Sequence, residues 1–339
     1  MSTNDTDSTS DLEFEFLFFA YYPLFLIIAG TILNLLTFIT LCRRPFRDTK
    51  KQPVMHYMRT IAIFDTFMLY GWNLDHYLSA IHGFNVVGYS IPSCKIMSFI
   101  DYFMPPASAW IRVFISLDRY LVLSRLNRTW FSQSKSILII ITCIVGVFVI
   151  YNAHFLLFAC YVKSDGEITA NSLLYQVFPL WDYLQLGVYN CAPFLFMVTF
   201  DVGVIYHLIR LHRTTVIQNS RIQHRAISIT LVITTCLFLL MTIPASVTFA
   251  FFYDTVSYTI LMISDALMFT YHILSFPLYF ITFTEFRREF LAMIKCVRNT
   301  NAIAPQRNMM MVNVATTERK IISKTTGLIG AGINKNEDV

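Results

Sequence analysis

The sequence predicts an all-α membrane protein: a seven-transmembrane helix bundle with a short amphipathic helix after the seventh span. Three observations carry that expectation. Of 339 residues, 55% are hydrophobic and 14% charged, and the mean hydropathy is +0.55; soluble domains carry about 25% charged residues. Seven apolar stretches stand at 16–42, 54–81, 91–124, 137–160, 183–209, 226–252 and 258–283, each long enough to cross a hydrocarbon core of about 30 Å. Lys and Arg, finally, gather in alternate connections.

Taken in order, residues 1–15 are acidic and polar and form the expected extracellular N-terminus. They show no basic region ahead of a short apolar core, so the first span is expected to act as its own signal anchor. Asn4-Asp5-Thr6 makes Asn4 a candidate glycan acceptor. Arg43, Arg44, Arg47, Lys50 and Lys51 fill the first loop, and Arg125, Arg128 and Lys135 the third. Arg210, Arg213, Arg221 and Arg225 fill the fifth, and Arg287, Arg288, Lys295 and Arg298 follow the last span. The other side holds only Lys95 and Lys163. The N-terminus is therefore expected outside and the C-terminus in the cytoplasm. In the loop 161–182, Asp165-Gly166 between short β-formers reads as a hairpin.

The receptor domain is expected over 16–284. Residues 285–296 put Phe286, Phe290, Met293 and Ile294 on one side, as an amphipathic helix lying on the membrane surface would. Cys296 ends it as a candidate palmitoylation site. Residues 297–339 are polar and aperiodic and read as a disordered cytoplasmic tail. Of seven cysteines, only Cys94 and Cys160 fall beside span ends on the oxidising side, and they are the expected disulfide.

The third stretch is the most informative. Cys94 and Arg119 lie 25 residues apart, about 37 Å of helix at about 1.5 Å per residue. At roughly 100° per residue, Cys94, Asp101, Ser108, Arg112 and Arg119 fall within about 40° on one stripe. Charges held at that depth face protein or water and mark function. An unpaired guanidinium at mid-span is costly, so Arg112 needs a carboxylate. Asp201 and Asp65 lie at its depth, and Asp201 is the expected partner.

Asp118-Arg119-Tyr120 at the inner end of this stretch, seven spans and an outside N-terminus resemble the rhodopsin-like (class A) G-protein-coupled receptors. The resemblance covers about residues 16–296 and is nearest in look to invertebrate neuropeptide receptors. The family's third-span cysteine stands as far before its Arg as Cys94 before Arg119. Gly30…Asn34 is similar to the first-span Gly and Asn, and Ile61-Ala62-Ile63-Phe64-Asp65 to the second-span Leu-Ala-x-x-Asp. Pro193 matches the fifth-span Pro. Phe238…Pro244 resembles Phe-x-x-Cys-Trp-x-Pro, and Ser275-Phe276-Pro277-Leu278-Tyr279 resembles Asn-Pro-x-x-Tyr. Thr242 departs by replacing the family's Trp, Ser275 its Asn, and Asp201 a Tyr. His224 stands where some members carry a Glu that bonds the Arg.

The resemblance implies a plasma-membrane receptor, not an enzyme, that binds an extracellular ligand and activates a heterotrimeric G protein, with arrestin as a partner for the tail. Its other partner is the lipid bilayer, and no nucleic acid is expected. Asp118, Arg119 and Tyr120, with Phe238, Pro244 and Tyr279, are then the switch. Leu126 and Trp130 are apolar anchors for the G protein. Asp65, Asn34 and Ser108 resemble a sodium and water pocket, with His272 a further donor; no other cofactor is implied. Asp101 takes the position of a ligand-binding carboxylate, Asp75 and Asp265 line the same cavity, and Trp72 and Tyr102 supply aromatic walls.

Twelve acids stand on the outer segments and span ends against two lysines, a field that favours a cationic ligand. A short peptide with Arg or Lys fits it, and a biogenic amine is the alternative. The seventh stretch has no Lys to hold a retinal, which excludes an opsin. A seven-span transporter or channel is the rival from another class; it would show two similar halves or broken helices meeting at the midplane.

Overall fold

The structure, a computed structural model, describes residues 5–48, 52–125, 130–169, 183–184, 186–214, 219–252 and 255–300. Asn4 and Leu126 lie outside these residues, as do the tail beyond 300 and the side chains of His224 and Cys296. The chain divides into two compact units, 1–289 and 290–339. Of the second, only the helical residues 290–300 are described.

Helix α1 (Asp5–Leu41) begins well before the expected span at 16. No Pro or Gly from 5 to 22 breaks the helix. Its last carbonyl is capped by Arg59, which donates Nε and Nη2 to Leu41 O at 3.1 and 2.7 Å. The same Nη2 reaches Phe46 O at 2.8 Å, closing the turn into α2 (Arg44–Arg47).

The second stretch forms two helices, α3 (Met55–Met68) and α4 (Trp72–His82). The break falls at Gly71, with φ −60° and ψ −98°. There a Cβ would stand 1.8 Å from Asp101 Oδ1. The short α5 (Val86–Tyr89) follows, and α6 (Ile91–Arg125) then runs unbroken through Pro105 and Pro106. Helix α7 (Ser134–Tyr151) ends at Asn152 and gives way to α8 (Ala153–Leu157). The hairpin pairs β1 (Tyr161–Val162) with β2 (Ile168–Thr169) antiparallel. Gly166 has a φ of +87° at its turn, a backbone state that glycine adopts without strain.

A π-helical turn (Leu186–Cys191) leads into α9 (Ala192–Thr214), widened where Pro193 cannot donate a backbone N–H. Helices α10 (Asn219–Phe251), α11 (Tyr258–Tyr271), α12 (Ser275–Thr282) and α13 (Thr284–Thr300) complete the chain. The seventh stretch bends by 48° between α11 and α12. Pro277 explains the bend, because its ring and missing donor break the helix in the turn before it.

Among the described residues, four helices are long and apolar enough to cross a membrane: Phe16–Leu41, Ser134–Tyr151, Leu186–Arg210 and Ser228–Phe251. The bent pair α11–α12 makes a fifth if it is one span. The second stretch misses that length because it is broken, and α6 carries Lys95, Asp101, Arg112, Asp118 and Arg119. Large apolar side chains cover the outside, among them Ile28, Leu35, Ile150, Leu195 and Leu240. Water would oppose such a surface, and lipid accepts it.

Helix α6 lies at the centre, packed against α3, α5, α7, α8, α9 and α10. One core cluster joins Tyr57, Met58, Ile111, Ile115, Tyr279 and Phe286 and extends along α6 to Phe103. Another joins Val113, Tyr189, Met197, Phe238 and Tyr271.

Candidate functional site

Near mid-bundle, a charge network is fully enclosed. Asp65 on α3 is 0% exposed, and Arg112 on α6 is 5% exposed. Arg112 Nη2 donates to both Asp65 oxygens, at 3.0 and 2.9 Å. Its Nε donates to the Tyr271 hydroxyl at 2.9 Å, and its Nη1 to Ser108 Oγ. The guanidinium carbon also stands 5.4 Å from the Phe238 ring centroid and 5.1 Å from that of Tyr271. Both rings accept its charge by cation–π attraction.

Asp65 has further partners. His272 Nδ1 lies 2.9 Å from its Oδ1, while Ser108 and Ser275 donate at 3.3 and 3.5 Å. The break after Tyr271 turns His272 inward and frees its carbonyl, which accepts from Asn34 Nδ2 at 3.0 Å. These partners of the carboxylate thus come from α6, the bend after α11 and the start of α12, while Asn34 of α1 holds the bend in place.

One expectation is corrected here. Arg112 pairs with Asp65 and not with Asp201, which lies against the hydroxyls of Ser116 and Thr235. Four side chains, Arg112 and Ser108 of α6, His272 of the bend and Ser275 of α12, converge on Asp65, whereas the α9 carboxylate meets α6 a turn away, at Ser116. The residues expected to hold sodium (Asp65, Asn34 and Ser108) do not fit that ion. Both carboxylate oxygens are taken by Arg112, and Ser108 accepts from it. A second unit charge about 4 Å from the guanidinium would be repelled by about 4 kcal/mol at an effective dielectric constant of about 20.

At one end of α6, Asp118 and Arg119 are buried at 1% and 5% exposure. Arg119 donates Nε to Asp118 Oδ2 at 3.1 Å, and Nη2 to the same oxygen. Tyr120 packs its ring 6.2 Å from Phe200 and 5.8 Å from His207. Gly203 admits that ring, since a Cβ there would fall 2.6 Å from it. Trp130 begins a 3₁₀ turn beyond the helix and is exposed. Tyr279 and Phe238 are buried, and Pro244 lies inside α10. Thr242 is wholly buried, donates to Phe238 O at 2.7 Å and faces Asn190 Oδ1 at 3.3 Å. Asn190 donates in turn to Ser246 Oγ, so hydroxyls tie the π-turn to α10 where the family carries a Trp.

At the opposite end, Cys94 and Cys160 form a disulfide that joins α6 to the hairpin strand beginning at Tyr161. Asp101 accepts the Trp72 backbone N–H and so caps α4 at the break. Asp75 accepts from the N–H groups of Val86 and Val87 at 2.6 and 3.0 Å, starting α5. Asp265 is buried within the electrostatic reach of Asp101. Trp72 stacks on Phe269 at 5.6 Å and on His76 at 4.5 Å, and Tyr102 stacks on Phe155 at 4.5 Å. Asp101 and Asp75 thus hold backbone N–H groups of α4 and α5, which residue type and depth alone do not reveal.

No protein-family model matches the chain. A stretch of 112 residues, 33% of the chain, is 29% identical to a rhodopsin of Scyliorhinus canicula. The match spans 30% of that protein's length. This local similarity supports a relationship to the G-protein-coupled receptors, in keeping with a helical bundle sheathed in apolar side chains.

Proposed function

We propose that the protein is a seven-span receptor of the rhodopsin-like class in the plasma membrane. In this reading it binds a cationic extracellular peptide and activates heterotrimeric G proteins. One observation carries it: helix α6 has a disulfide at its Cys94 end and a buried Asp118–Arg119 pair near the other. With the N-terminus outside, the basic loops and Arg119 face the cytoplasm.

Arg119 is always charged and carries a rigid fork of donors. While Asp118 holds the fork, the receptor is silent. When neighbouring helices part, the fork is released to carbonyls at the end of an incoming G-protein helix. At the outer end, Asp101 and Asp265 lie in a low-dielectric setting without a nearby lysine or arginine among their described contacts, which favours a ligand cation. Trp72 and Phe269 form the aromatic wall beside them.

The breaks at 69–71 and 272–274 invite a transporter reading. Each, however, is closed by the chain's own side chains, Asp101 on the Trp72 N–H and Asn34 on the His272 carbonyl.

The test is nucleotide exchange by a panel of heterotrimers in membranes carrying the full chain. Amidated basic peptides, acidic peptides and biogenic amines are added in turn. Exchange driven by basic peptides supports the proposal. Exchange driven only by amines or acidic peptides overturns the ligand class, and silence of every heterotrimer under all ligands overturns the receptor reading.

A further inference from the structure

The geometry points to Arg112 as a built-in cation. We propose that its guanidinium closes the Asp65 site to metal ions, and that removing it leaves a site for a small hard cation such as sodium. This does not depend on the receptor reading, because it concerns only which positive charge balances one buried carboxylate.

The guanidinium has little freedom to leave. Asp65 holds it on one side, Ser108 and Tyr271 accept from it, and the Phe238 and Tyr271 rings cover it. Arginine does not deprotonate in proteins, so the site never loses this charge. A free ion would have to share one carboxylate with a permanent cation while gaining few open oxygens.

Without the guanidinium, the same walls change character. Two Asp65 oxygens and the hydroxyls of Ser108 and Ser275 remain around the vacated volume. Asn34 Oδ1, buried and without a hydrogen-bond partner, lies on the amide that bonds the His272 carbonyl. His272 Nδ1 stays 2.9 Å from Asp65 Oδ1, and the remaining oxygens, one carboxylate among them, suit a hard cation. Beside Arg112 there is already a small cavity lined by Ile61, Thr234, Thr235, Ser275 and Tyr279, with room for about one water molecule. The lost side chain would enlarge it.

The experiment measures unfolding temperature of the full chain in lipid nanodiscs. Sodium chloride is exchanged for choline chloride at constant ionic strength. The wild type is expected to unfold at the same temperature in both salts. Arg112→Ala should unfold at lower temperature in choline, and sodium should raise it saturably by about 2 °C or more at tenfold excess over its dissociation constant. Adding Asp65→Asn to Arg112→Ala should remove the sodium response. Arg112→Gln, which loses less volume, provides the same comparison if Arg112→Ala is not recovered folded.

A saturable, sodium-specific stabilisation of the wild type that Asp65→Asn abolishes would overturn the closed site. Folded variants indifferent to sodium would overturn the latent one. Failure of both variants to fold at any sodium concentration also counts against it, because a bound ion would offset the missing charge.

Discussion

The Arg112 guanidinium lies 2.9 Å from the Asp65 carboxylate across 47 residues of chain. The contact joins α6 to α3, and through Tyr271 and His272 it draws in the bend before α12. Loss of one partner would leave the other charged and buried.

Arg112→Ala and Asp65→Ala are each expected to destabilise the protein by about 3–5 kcal/mol. Removing both should cost less than the sum, since neither charge is then stranded. A double-mutant cycle on thermal unfolding measures the coupling. Additive losses would show that the two charges are held independently.

Asp201→Asn should behave differently, staying within about 1 kcal/mol of wild type. Its neighbours are the Ser116 and Thr235 hydroxyls, which an amide can also satisfy. Surface expression and melting temperature provide the comparison, and a loss as large as that of Arg112→Ala would mean that Asp201 serves the guanidinium after all.

Arg119→Ala should keep surface expression and ligand affinity while abolishing nucleotide exchange. The guanidinium is bonded to the adjacent buried Asp118, so Asp118→Asn in the same chain separates a loss of folding from a loss of output. Normal exchange at equal receptor density would remove Arg119 from the output step.

Asp101→Asn should preserve the fold, because the amide oxygen still accepts the Trp72 N–H. Agonist potency should nonetheless fall by about tenfold or more, about 1.4 kcal/mol. Gly71→Ala should instead lower stability by about 1–3 kcal/mol, as overpacking does. Equal potency of wild type and Asp101→Asn would leave this acid with its capping role alone.

Cys94→Ser should reduce stability by about 4 kcal/mol under the chain-entropy account, for a loop closed over 66 residues. Unfolding of the oxidised and reduced wild type checks the figure without mutation.

Much of this architecture is legible in the chain. Run lengths of apolar residues locate most helices, and residue count along α6 supplies the depth of Arg112, Asp118 and Arg119. Depth is not direction, however. Asp65 and Asp201 both reach the level of Arg112, and only the rotation of α3 and α9 about their axes selects between them. The break at Gly71 was hidden for a related reason: its cause is Asp101, 30 residues further on. Pro277 announces the break, and the depth of His272 marks it as a donor to Asp65, a contact that the structure contains. The start of α1 at Asp5 is not legible because the residues before 16 are polar and carry no apolar period, although they hold no Pro or Gly.

Gly71 and Asp101 occupy each other's space, with an absent methyl at one position making room for a carboxylate at the other. Among descendants of a common ancestor, neither site is then free to drift alone. A lineage that acquires any side chain at 71 must first shorten or relocate the acid, and one that loses the acid loses the reason to keep glycine. The two codons should therefore be inherited as a unit, and a mismatch between them would mark a chain in which α4 has rejoined α3.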